Sequence, residues 1–215
     1  MATELIRPAW RGVLHRCAAI GFLPLFVLLA VLARGTGDRV ACVIYAVGVT
    51  SMLGVSATYH SGRLGPVAFR RFKRADHSTI LLAIAGSYTA VSTLALSGAP
   101  ARHLLTAIWI AAPIGVAIRM LWLGAPYPVV AVVYVAVGWI AVIEWGALAD
   151  ALTGRELALL VGGGLLYTMG SVIYALHKPN PKPEVFGYHE VFHAFVVGGA
   201  AAHYLLMLSI VLRTR

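Results

Sequence analysis

The chain has 215 residues, 60% of them hydrophobic and 12% charged, with a formal net charge of +9. Soluble globular proteins carry roughly 25% charged residues, so this composition excludes one and points to a polytopic membrane protein of one domain. The cations fall in short segments between apolar runs. They therefore report topology and contact with anionic lipid, not nucleic-acid binding.

Residues 1–16 are basic, contain Trp10, and are expected to be a cytoplasmic N-terminal segment. A membrane helix needs about 20 mostly apolar residues. Seven runs qualify, at residues 17–33, 40–59, 77–96, 104–123, 129–148, 157–176 and 189–212, so residues 17–212 are read as an all-α seven-transmembrane bundle. Val31-Leu32-Ala33 ends in a small residue, as a signal-peptide site does, but equally apolar runs follow the first one. Cys17 and Cys42 fall near opposite ends of consecutive runs and are not expected to pair. Glycines such as Gly162, Gly163, Gly164, Gly198 and Gly199 are read as helix-packing residues.

The segments between runs alternate in charge. With the N-terminus inside, one side holds Arg7, Arg11, Arg16, Arg63, Arg70, Arg71, Lys73, Arg74, Arg119, Lys178 and Lys182. The other side holds Arg34, Arg39, Arg102, Arg155, Arg213 and Arg215. The excess predicts a cytoplasmic N-terminus and a C-terminus outside, in the plasma (inner) membrane. Arg70-Arg71-Phe72-Lys73-Arg74 is the strongest contributor and reads as a solvated charge run.

That topology gathers chemistry at one end. His60 closes the second run, Asp76 opens the third, and His189 and His193 open the seventh. Residues four apart on a helix share a face, so His189 and His193 can chelate one ion. Catalytic zinc sites commonly have three protein ligands and one open position for water. His60, His189 and His193 are the predicted ligands. Asp76 is the predicted acid–base residue beside them, with Ser56, one turn before His60, orienting it or stabilising charge on a substrate oxygen.

His189-Glu190-Val191-Phe192-His193 also matches the H-E-x-x-H pattern of metalloproteases, in which Glu190 would be the general base. His203 lies roughly 21 Å along the helix from His189, too far for the same mononuclear site, and reads as a buried polar contact. His77 is expected to point away from Asp76. His15, His103 and His177 read as loop or interface residues. Glu144 is expected to snorkel to water, and Tyr88 and Thr89 to line a cavity or bond between helices.

Several of these pieces recur in order: Ser56-Ala57-Thr58-Tyr59-His60, Asp76-His77-Ser78, Ile84-Ala85-Gly86-Ser87-Tyr88-Thr89, Leu165-Leu166-Tyr167-Thr168, Lys178-Pro179-Asn180-Pro181, and Phe186-Gly187-Tyr188-His189-Glu190-Val191-Phe192-His193. Together they resemble the bacterial hemolysin III family, within the progestin and adipoQ receptor superfamily. Two positions depart from its pattern: Ala75 where leucine is usual before the aspartate, and Ala90 where proline commonly follows Tyr-Thr. Adiponectin receptors, distant relatives, bind zinc through histidines in corresponding motifs, and alkaline ceramidases share the arrangement more distantly. The resemblance implies Zn2+ on His60, His189 and His193, with Asp76 and Ser56 beside it. It further implies a role in membrane lipid homeostasis. The expected partner is a membrane lipid with its acyl chain between helices, and no nucleic acid. The leading expectation is metal-dependent hydrolysis of an amide or ester bond in such a lipid; the alternatives are a lipid-sensing receptor or pore-forming haemolysin with structural zinc, and an intramembrane metalloprotease using Glu190.

Overall fold

A computed structural model describes residues 8–62 and 64–214. Arg7, Arg63 and Arg215 of the charge count lie outside the described residues. The helices are α1 (Val13–Leu32), α2 (Thr36–Tyr59), α3 (Pro66–Ala95), α4 (Gly98–Leu121), α5 (Tyr127–Gly138), α6 (Trp145–Ala151), α7 (Gly154–Leu176) and α8 (Tyr188–Arg213). Seven segments are long and apolar enough to cross a membrane, with residues Tyr127–Ala151 counting as one. Among the described residues there is no strand, only an isolated bridge between Lys182 and Phe186.

The bundle is apolar outside as well as inside. Leu121, Val31, Ile20 and Val132 are exposed on its flanks, as lipid-facing side chains must be. Lipid tails are as apolar as leucine, so close packing rather than hydrophobic burial holds such helices together. The α2–α3 contact illustrates this. A Cβ on Gly48 would sit 3.0 Å from the Leu82 carbonyl oxygen, and one on Gly86 would sit 3.0 Å from that of Ile44. The two glycines let the backbones touch, which brings His60 on α2 and Asp76 on α3 into register.

Two spans differ from their expected form. The third starts at Pro66 rather than at residue 77, so Asp76 lies well inside α3 instead of opening it. Arg70 to Arg74 interrupt the apolar pattern, but arginine and lysine are good helix formers, and Pro66 suits a first helical turn. The charge run is thus helical: Arg70, Arg71 and Arg74 are exposed, while Lys73 turns inward.

The fifth span, expected to be continuous over 129–148, is broken. Residues Ile140–Glu144 form a 3₁₀ turn between α5 and α6. Backbone groups freed inside a bilayer need partners, and Tyr88 supplies them. Its hydroxyl donates to the Gly138 carbonyl at 2.8 Å and accepts from the Ala141 N–H at 2.7 Å. Glu144, expected at water, pairs with His103 at 2.7 Å.

Candidate metal centre

The start of α8 is fixed by its flanking sequence. Glu190 reaches back to accept the Gly187 N–H at 2.9 Å, and Asn180 accepts the Tyr188 N–H at 2.9 Å. Glu190 also meets Arg11 Nε at 2.7 Å, as an ion pair without linear hydrogen-bond geometry. The N-terminal segment docks on the α7–α8 loop through Ala9 N–H to Glu184 O at 3.0 Å and Trp10 N–H to Val185 O at 3.1 Å. The acidic residue of the H-E-x-x-H pattern is therefore a helix cap and ion-pair partner, fully buried and away from the cavity.

His60 caps α2, its N–H bonded to the Ser56 carbonyl at 2.9 Å. Its Nε2 lies 3.1 Å from His189 Nε2. The ring centroids are 4.5 Å apart for His60–His189, 5.3 Å for His60–His193 and 4.5 Å for His189–His193. One ligand nitrogen of each lies within 4.8 Å of the others. Nitrogens on a tetrahedral zinc at about 2.0–2.1 Å are roughly 3.4 Å from one another. The three imidazoles therefore fit a single ion, and imidazole suits zinc among other transition metals. Asp76 Oδ2 stands 3.9 Å from His60 Nε2, and the Ser56 side chain lies beside the Asp76 carboxylate.

These groups form one end of a cavity of about 410 Å³. It runs between the helices past Ile80, Ile84, Tyr88 and Trp139 to Tyr167 and His203. His203 is bonded to Leu160 O at 3.2 Å and is absent from the histidine cluster, as its helical distance predicts. His77 turns toward α5, where the Tyr134 hydroxyl donates to its carbonyl at 3.0 Å. His177 closes α7 between Tyr127 and Tyr188. Thr89 bonds between helices, accepting from Trp109 Nε1 at 3.1 Å.

One residue of the centre corrects the sequence reading. His15 is not in a loop: it sits in the first turn of α1, 3% exposed, its ring stacked on His193 with centroids 3.7 Å apart and planes at 11°. Neither of its nitrogens has a hydrogen-bond partner. The end-counting that gathers His60 and Asp76 applies equally to His15, and that was the available signal.

Comparison with known proteins places the chain in a family. The Haemolysin-III related family matches residues 3–204. Hemolysin-3 of Bacillus cereus is 30% identical over 206 residues, covering 94% of this chain and 91% of that protein. The Hemolysin-3 homolog of Bacillus subtilis (strain 168) is 28% identical over 204 residues, covering 92% and 91%. With its seven membrane-spanning helices, the chain belongs to the Haemolysin-III related family.

Proposed function

We infer that this protein is a zinc-dependent hydrolase of an amide or ester bond in a membrane lipid, acting at the cytoplasmic face of the plasma membrane. The observation that carries this reading is the placement of three converging imidazoles and a carboxylate at one end of a mostly apolar cavity between membrane helices. His60, His189 and His193 would hold the ion, which when bound supplies Lewis-acid polarisation of a carbonyl. Asp76, oriented by Ser56, is the only carboxylate among the described residues lining the cavity, and serves as its proton acceptor. An acyl chain would lie along α3 and α8, against the apolar walls of the cavity.

Purified protein loaded with zinc and incubated with N-acyl and O-acyl lipids should release fatty acid. Asp76→Asn should slow release by about 10²–10⁴-fold, the usual range for a general base. Release that needs neither metal nor Asp76 would refute the reading. A second reading, cytolysis with the metal as a structural element, is favoured by the Hemolysin-3 names of the relatives. Lysis of red cells by the purified protein, unaffected by Asp76→Asn, would select it.

A further inference from the structure

Arg119 lies near the end of α4 and is 3% exposed. Its Nη1 donates to the Trp122 carbonyl at 2.9 Å, and it lies beside the Tyr134 hydroxyl. Its Nε is buried without a partner. Among the described residues, no carboxylate comes within 4.0 Å of its guanidinium. A guanidinium does not shed its proton, and a buried charge without a counter-ion is among the costliest groups a protein can hold. Such a group, buried in the last turn of a membrane helix and lining a cavity, is a candidate functional group.

Its surroundings indicate what supplies the missing charge. Arg119 faces the cavity, as do Lys73 and His77 from α3. Lys73, Asp76, His77 and Ile80 fall at helical positions i, i+3, i+4 and i+7, one stripe of α3. Arg11 is matched by Glu190. That leaves Arg119 and Lys73 against the single carboxylate Asp76, before the charge of any metal is added. Beyond this polar wall the cavity continues along Ile84, Val130, Val135 and Val196.

We propose that Arg119, assisted by Lys73, binds the carboxylate or phosphate of a single-chain anionic lipid whose acyl chain fills the apolar part of the cavity. The volume, at the small end of the roughly 300–1,000 Å³ usual for small-molecule sites, suits one chain better than two. A guanidinium presents paired N–H donors that match both anions. The proposal rests on the cavity being a lipid site, as inferred above, but not on hydrolysis.

The test is binding to purified protein in neutral detergent, by native mass spectrometry. The probes are oleate, oleoyl lysophosphatidic acid, neutral mono-oleoylglycerol and inorganic phosphate. The wild type should bind both anionic lipids about 10–100-fold more tightly than mono-oleoylglycerol, the range expected for a charged hydrogen-bonded contact. Inorganic phosphate should not compete. Arg119→Gln should abolish that preference while leaving mono-oleoylglycerol binding and bound metal unchanged, and Arg119→Lys should retain most of it. If Arg119→Gln does not fold, Lys73→Gln and the wild-type preference decide. Equal binding of neutral and anionic lipids by the wild type overturns the proposal, whatever the hydrolysis assay gives, as does competition by phosphate alone. Selective anionic binding without any hydrolysis instead leaves this site standing and removes the hydrolase reading.

Discussion

Removing single ligands tests the centre most directly. Structural zinc in small domains is held by about 10–16 kcal/mol over four ligands, or about 2.5–4 kcal/mol for each. His60→Ala takes away the imidazole whose Nε2 faces His189 Nε2 at 3.1 Å, and leaves only the two rings on α8. Metal affinity should fall by about 10²–10³-fold on that figure. His189→Ala and His193→Ala should behave alike, because one nitrogen of each ring belongs to the same cluster. Asp76→Asn leaves all three imidazoles in place, so it should cost no more than about 10–100-fold. His203→Ala should cost nothing, since that ring is bonded to Leu160 O at the far end of the cavity. The readout is zinc per chain by elemental mass spectrometry after dialysis against a mild chelator. Unfolding temperature in detergent confirms that each variant is folded. Retention of zinc by His60→Ala together with its loss from His203→Ala would refute the site.

Three further outcomes follow from the same geometry. Glu190→Gln should lower stability by about 1–2 kcal/mol, through a weakened cap and a lost ion pair with Arg11, while hydrolysis per folded molecule is unchanged; loss of turnover at full stability would restore the protease assignment. His15→Ala removes the ring stacked on His193 and should weaken metal binding by about 10–100-fold, as losses beside a ligand do, with His15→Phe recovering most of it; unchanged zinc retention by His15→Ala would end that role. A reporter fused after Arg215 should read outside the cytoplasm, and a cytoplasmic signal would overturn the orientation.

The spans and the histidine cluster were legible because both depend on local pattern. Apolar runs need only composition, and the even number of crossings between His60 and His189 puts both at one end without any knowledge of packing. What escaped depends on contacts between helices. The apolar stretch from Tyr127 to Ala151 carries no hint of a break, because the hydroxyl that tolerates it belongs to Tyr88 on α3. His15 gains its place only from the stack of α1 on α8. Lys73 and Arg119 counted as topology charges, since composition does not tell an inward cation from an outward one. The start of α3 escaped because Arg70 to Arg74 interrupt the apolar run, although arginine and lysine prolong a helix well.

The two ends of the bundle show why the unpaired groups matter. At the end away from the histidines, Glu156 is fully buried, yet its oxygens are fully used. It accepts from the Thr153 N–H at 2.9 Å and from Ser209 at 2.9 Å, and it pairs with Arg213 at 3.2 Å. That is how a carboxylate is made tolerable at the edge of a bilayer, and it calls for no ligand. At the histidine end the same chain buries His15 with both nitrogens idle and Arg119 with Nε idle, and both face one cavity. Hydrocarbon offers these groups no hydrogen bonds. A bundle that saturates its buried carboxylate at one end, and at the other leaves an imidazole and a guanidinium nitrogen without partners around a cavity, is built for something polar to enter there.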